Sequence, residues 1–250
     1  MGETFIYKDI EEIVDYIKQK NKGIIISVST NAMLPNFLEL VLKVVNKIDT
    51  IQISIDGIGE VYESIRHKAS FENLDKNLQS LVDLCKNTKT TLMLNMVVTK
   101  ENYLQMSDLV KYADRIGINY MDFSLFNLAA VTNIDSSYYT FYRSTDFLNA
   151  VLKLDSVCAK TPSVSANYHF KTERDFQKCP FPWSHFYICW NGFITPCCAK
   201  PFPKELNFGN VFENNLINVL NNNKYQDFRK LWFENKTPDF CIKCNFTSEL

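Results

Sequence analysis

The sequence predicts an α/β protein, a parallel sheet assembled from repeated helix–strand units and followed by a small α+β domain rich in cysteine. Three observations carry this. Over roughly the first half, apolar runs of strand length alternate with segments of helical spacing, the pattern of strand–helix units around a parallel sheet. The chain of 250 residues is 46% hydrophobic and 14% aromatic, enough material to bury a core. Six of its eight cysteines fall between residues 179 and 244.

The elements follow in order. Ile10, Ile13, Val14 and Ile17 share one face of a helix over 8–20, which leads into an apolar strand over 23–29. Pro35 opens a second helix with Phe37, Leu38, Val41, Leu42 and Val45 on one side, and the strand 50–55 follows. Phe71, Leu74, Leu78, Leu81 and Val82 mark a third helix before the strand 91–98. A fourth helix over 102–116, with Leu104, Leu109, Val110, Ala113 and Ile116, stops at Gly117 before the strand 120–126. A weaker pattern beyond 127 reads as a helix over 138–154, with Tyr138, Tyr139 and Tyr142 on its face, and a strand over 163–170. Domain boundaries are expected at 1–150 for the sheet, 151–178 for a connector and 179–250 for the cysteine-rich domain.

Lys plus Arg number 27 against 28 Asp plus Glu, so no net field draws in nucleic acid or an anionic membrane. No apolar run approaches the ~18 residues of a membrane helix, and the first ten residues carry Glu3, Lys8 and Asp9 where a signal peptide would be apolar. A cytoplasmic location is expected, with a small molecule or another protein as partner. In that reducing setting clustered cysteines read as metal ligands rather than disulfides.

The cysteine pattern runs CPFPWSHFYICWNGFITPCC from Cys179 and CIKC over 241–244. Two residues between Cys241 and Cys244 let both sulfurs face one centre, Gly192 permits a tight turn before Cys197, and Cys179 completes four. Cys189, alternating with Tyr187 and Asn191, reads as a small buried hydrophobe. Cys198 neighbours Cys197 on the opposite side of a strand, and the glycine spacing favours Cys197. Iron–sulfur and zinc both accept four thiolates, so the spacing leaves both open, including a non-catalytic module in which zinc serves folding alone.

The pattern of cysteine, about a dozen residues, glycine, four residues, cysteine and a later C-x2-C resembles the SPASM or shorter twitch domain of radical S-adenosylmethionine (SAM) enzymes. The likeness extends through Gly209-Asn210-Val211 and NLINVLNNNKYQDFRKLW to the end of the chain. It implies one auxiliary [4Fe-4S] cluster on Cys179, Cys197, Cys241 and Cys244. The first half then resembles the barrel of the same family. Gly2-Glu3 is similar to the end of its glycine-glycine-glutamate motif, which meets the amino group of SAM. The strand ending at Thr30-Asn31 is similar to the third barrel strand and ISIDG over 53–57 to the fourth, with Ser54 and Asp56. Arg66 matches an arginine that meets the SAM carboxylate, and Asn95 is expected to point into the barrel. SAM-contacting residues are therefore expected to be Gly2, Glu3, Thr30, Asn31, Ser54, Asp56, Arg66 and Asn95, with Thr30, Ser54 and Asn95 on one rim.

The family's catalytic cluster sits on C-x3-C-x2-C, and no cysteine precedes Cys85, which itself falls on a helix. The expectation is a truncated form, a partial radical SAM-type (β/α) barrel lacking its first two strands, inactive alone and partnered by the segment that carries them. The resemblance implies that the complete form cleaves SAM to a 5'-deoxyadenosyl radical, which abstracts hydrogen from a peptide or small-molecule substrate, with an electron donor as a further partner. His67, His169 and His185 have no spaced acidic or cysteine partner and are expected to play no catalytic or ligand role.

Overall fold

A computed structural model describes residues 2–131, 133–168, 170 and 179–244. The contacts divide the chain into two compact units, Met1–Leu125 with Thr145–Phe170, and Phe126–Ser144 with Lys171–Leu250. The chain thus enters the second unit twice. The segment 145–170 packs with the sheet and 126–144 with the cysteine-rich residues, which differs from the expected boundary at 150.

The first unit runs α1 (Ile10–Lys20), β1 (Ser27–Thr30), α2 (Phe37–Leu42), β2 (Thr50–Ser54), α3 (Glu60–Ile65), α4 (Phe71–Cys85), β3 (Thr91–Val98), α5 (Met106–Ile116), β4 (Tyr120–Leu125), α6 (Thr145–Lys160) and β5 (Ser165–Tyr168). The strands pair in parallel in the order β1-β2-β3-β4-β5. Each new strand adds beside the last, so connections of constant hand lay the helices on one face, as in a segment of a barrel. Burial agrees. Val28, Ile51, Ile53, Leu92, Leu94, Met96, Met121 and Phe123 are buried beneath helix residues such as Leu74, Leu78, Leu81, Leu109, Val110, Phe147 and Leu154. The opposite face carries Ser29, Gln52, Ser54, Asn95, Asp122 and Asn167, the polar half of the period-2 alternation.

Three expectations change in detail. The first strand starts at Ser27 rather than 23: the Asp49 carboxylate takes the Ile26 N–H at 2.8 Å, and Ile25 is exposed. The fourth helix opens as a 3-10 turn, Tyr103–Gln105, which leaves Leu104 in solvent before α5 begins. Gly117 does close α5, in the left-handed region at φ 83°. The helix expected over 138–154 is two, a 3-10 helix Ser136–Arg143 and α6, separated by the extended Ser144. The weak strand over 163–170 is β5, the sheet's fifth, beside β4.

The second unit adds α7 (Phe181–Ser184), an antiparallel hairpin of β6 (Tyr187–Ile188) and β7 (Ile194–Thr195), then α8 (Leu216–Leu220) and α9 (Asn223–Phe233). Its core is Ile194, Phe208, Val219, Tyr225, Phe228 and Trp232. Phe208 and Tyr225 stack at 3.9 Å and 6°, and the Arg229 guanidinium lies 4.0 Å over the Tyr225 ring while donating to the Pro182 and Leu220 carbonyls. Cys179 and Cys241 pack on this core. Among the described residues, no helix is long and apolar enough to cross a membrane.

Candidate functional site

In the first unit the expected residues gather at the C-terminal end of the strands, the end at which barrel sites are built. Glu3 lies beside β1: its carboxylate accepts the Asn31 N–H at 2.8 Å and the Phe5 N–H at 3.3 Å, while the Thr4 hydroxyl donates to the Ser29 carbonyl. Asn31 turns its amide oxygen onto the Met33 N–H, an Asx turn that lets Ala32 adopt φ 55°. Gly2 is exposed at this point. Asp56 follows β2. One carboxylate oxygen accepts the Val97 N–H at 3.0 Å and the other meets the Arg66 guanidinium at 2.7 Å, and Asn102 donates to its carbonyl. The Arg66 Nε and the nearby Tyr62 hydroxyl are buried with no hydrogen-bond partner among the described residues. Burial also pushes the Tyr62 phenol above its ordinary range.

Ser54, Asn95, Asp122 and Asn167 occupy one register row across β2, β3, β4 and β5. The Asn95 amide donates to Asp122 at 3.0 Å, the Asn167 amide at 2.6 Å and the Ser124 hydroxyl at 2.8 Å. Thr30 is elsewhere. It sits in register with the buried Ile53 on the helix-covered face, and its hydroxyl accepts the Ala32 N–H. The rim neighbour of Gln52 is Ser29, at 3.2 Å, because side chains alternate along the strand. Asp122, Ser124 and Asn167 were not singled out from the sequence. The signal was present for the first two, since Asp122 and Ser124 alternate with the apolar Met121 and Phe123 as Asn95 does with Leu94 and Met96.

In the second unit, Gly192 (φ 84°) turns the β6–β7 hairpin so that the chain reaches Cys197; a Cβ there would run into Asn210 and the Phe212 ring. The Cys179 thiol is pushed up to about 11, first by burial and also by Cys244 and Cys197, against one N–H donor from Phe181. Cys197 is raised by burial and by Cys244 and Cys198, with the Ala199 and Lys200 N–H groups opposing. Cys241 is raised by burial and then by Cys197, Cys244 and Cys179, with the Lys200 charge opposing. All four expected cysteines are thus within electrostatic reach of one another. Among the described residues no three His, Cys, Asp or Glu side chains form a group tight enough for a single metal ion. Cys189 is buried at the hairpin and Cys198 is exposed.

The segment 126–144 supplies a part of this site that the sequence pattern did not indicate. The Asn127 amide donates to the Cys244 sulfur at 3.5 Å, and the Tyr139 hydroxyl donates to the Lys243 carbonyl at 2.6 Å. The Tyr139 phenol is pushed up to about 12, first by burial, against the Leu128 N–H, and also by Cys244. His67 and His185 are exposed, the latter stacked on Phe181, and His169 lies outside the described residues.

The donor set fits an iron–sulfur cluster. Four thiols lie within electrostatic reach of one another, and N–H groups face three of the sulfurs, those of Cys179, Cys197 and Cys244, an arrangement that favours the thiolate form a metal requires. The first unit offers no such set: its cysteines are Cys85 and Cys158, both with thiols raised by burial.

Comparison with known proteins agrees. Residues 1–113 match the sequence model of the radical SAM superfamily, and residues 179–245 match that of the SPASM iron-sulfur cluster-binding domain. The antilisterial bacteriocin subtilosin biosynthesis protein AlbA of Bacillus subtilis is 23% identical over 97% of this chain and 52% of its own length. The tungsten-containing aldehyde ferredoxin oxidoreductase cofactor-modifying protein of Pyrococcus furiosus is 24% identical over 98% of this chain and 72% of its own. The crystal structure of Streptococcus suis SuiB superposes with a TM-score of 0.67 at 18% identity, covering 98% of this chain and 59% of SuiB; SuiB has also been solved with SAM and with the precursor peptide SuiA. The chain therefore spans little more than half the length of AlbA and SuiB. With its two matched regions and its parallel sheet followed by a four-cysteine domain, the chain belongs to the radical SAM superfamily, among the members that carry a SPASM iron–sulfur domain.

Proposed function

We propose that this chain is the SAM-holding and auxiliary-cluster part of a radical SAM/SPASM protein that modifies a peptide, with a small molecule as the alternative substrate. The observation that carries it is the set of four thiols within electrostatic reach of one another, Cys179, Cys197, Cys241 and Cys244, of which burial pushes up the first three. A [4Fe-4S] cluster, when bound, supplies one-electron redox chemistry or a point of substrate attachment. It takes one thiolate per iron and so accepts sulfurs farther apart than zinc does, where a Zn–S length of about 2.3 Å puts them under about 4 Å from each other. The peptide reading is supported by AlbA, a bacteriocin biosynthesis protein, and by SuiB, which has been solved with a precursor peptide.

In the sheet unit, SAM presents an ammonium, a carboxylate and ribose hydroxyls. Glu3 offers a carboxylate for the first. Arg66 offers the second a guanidinium whose Nε has no hydrogen-bond partner among the described residues. Ser54 and Asn95, on the inner face, are placed for the hydroxyls. Asp56 orients Arg66, its carboxylate held between the Val97 N–H and the guanidinium. Thr30 and Asn31 shape the loop that holds Glu3. The residues of this chain do not provide three cysteines for a SAM-cleaving cluster, so the chain by itself binds SAM without cleaving it.

Anaerobic reconstitution with iron and sulfide tests the reading: about one [4Fe-4S] cluster per chain is expected, lost on replacing any of the four cysteines and retained in Cys189→Ala. Stoichiometric zinc with no uptake of iron would overturn it. Titration calorimetry should show SAM binding that Arg66→Ala abolishes, and incubation with SAM and dithionite should give no catalytic 5'-deoxyadenosine.

A further inference from the structure

The four cysteines do not receive their hydrogen bonds in the same way. Cys179 and Cys197 are served by backbone N–H groups, of Phe181 and of Ala199 and Lys200, which no substitution short of proline removes. Cys244 receives a side-chain donor, the Asn127 amide, from 117 residues earlier in the chain. We propose that Asn127 is a positioning residue of the auxiliary cluster, holding the Cys244 sulfur and raising the cluster's reduction potential, an inference that rests on the four-cysteine [4Fe-4S] reading above.

The geometry fixes both partners. The Asn127 amide oxygen accepts the Ala129 N–H at 2.9 Å, so the orientation of the amide is determined by its neighbour and the NH2 group is the end that faces sulfur. The Tyr139 hydroxyl accepts the Leu128 N–H at 2.9 Å and donates to the Lys243 carbonyl, bridging the residue after Asn127 to the residue before Cys244. Lys243 itself holds a left-handed φ of 66° without being glycine, and its ammonium donates to the Ile134 carbonyl. The C-x2-C turn is therefore held by the segment 126–144 at three points.

A hydrogen bond to a cluster thiolate stabilises the reduced, more negative state more than the oxidised one, and so raises the potential. A charge-assisted bond of this kind is stronger than a neutral one, and the difference in its strength between the two charge states is what moves the potential. A change of about tenfold in the reduction equilibrium, or about 59 mV for one electron, is the expected scale. The electron comes from a low-potential one-electron donor, dithionite in the assay.

The test uses the 250-residue chain reconstituted anaerobically, with iron content and an EPR-monitored redox titration as readouts. Asn127→Ser keeps an acceptor for the Ala129 N–H, is neutral, and is too short to reach the sulfur. It should retain iron and titrate at a more negative midpoint by about tenfold in the equilibrium. An unchanged midpoint at equal iron content would overturn the proposal. If Asn127→Ser loses iron, Asn127→Asp, which keeps the shape and the Ala129 acceptor, takes its place and must show a negative shift; loss of iron in both variants overturns the tuning role. Failure of the wild-type chain to take up iron at all is a different result, which removes the cluster reading itself.

Discussion

Asp122 in the sheet unit and Cys241 in the cysteine-rich unit are both partly covered groups whose charged forms need partners, and the chain treats them differently. Asp122 receives three donors from side chains of its own unit, Asn95, Asn167 and Ser124. Cys241 is pushed up by burial and then by three other thiols, with Lys200 as the opposing charge. The first arrangement is electrostatically complete with protein atoms. The second becomes favourable for thiolates only when a metal centre takes up their charge, so the sheet unit completes its polar row from its own residues whereas the cysteine-rich unit leans on a bound centre.

The comparison is broken most severely by removing iron. Bound structural metals contribute on the order of 10 kcal/mol to the domains that hold them, so chelation should strip hydrogen-exchange protection from α9 and the β6–β7 hairpin while β2, β3 and β4 keep theirs. Equal protection in both units after chelation would show that the difference is not real. Arg66→Ala should leave the buried Asp56 without its cation and destabilise the sheet unit by about 2 kcal/mol in urea unfolding, less than a fully buried pair would because both groups keep some water. Gly192→Ala forces a left-handed backbone and a collision with Asn210 and Phe212; about 2 kcal/mol is expected, read in the cysteine-rich unit as a lower midpoint of thermal iron release. Asp122→Asn removes one acceptor and adds a donor among three donors, with an expected loss of about 1 kcal/mol.

The smallest effect is at Asp49, whose carboxyl is held below its ordinary value of 3.8 by the Ile26 N–H and by Lys18. Because the folded value is the lower one, its contribution is fully present above the unfolded value near 4 and fades as pH falls through the folded value. Asp49→Asn should flatten the acid limb of the stability profile below pH about 4 and leave neutral stability within about 1 kcal/mol, since the pair is half exposed.

The strand–helix alternation was legible because each unit buries one face: Leu74, Leu78 and Leu81, or Leu94, Met96 and Val98, write their period directly into the sequence. The four cysteines were legible through spacing, which turn geometry constrains. Thr30 faces the helices and does not share the row of Ser54 and Asn95, a phase that a strand of four residues has too few alternations to fix in the sequence, and Ser29 is the polar neighbour of Gln52. Asn167 went unseen since β5 is a short edge strand with only intermediate and exposed positions. The part played by Asn127 and Tyr139 had no local signature at all, as it depends on contacts 117 and 104 residues away.

That separation has a consequence for biosynthesis. Asn127 and Tyr139 leave the ribosome more than a hundred residues before the turn they clamp, and the sheet strand β5 is made in between. At about 5–20 residues per second, the clamp waits on the order of ten seconds for Cys241 and Cys244. During that interval Tyr139 and Tyr142, which end up buried, have no finished unit to enter. Metal loading can close the site only after translation has passed residue 244, which makes the nascent chain with the excursion 126–144 uncovered the state in which aggregation or chaperone capture competes with maturation.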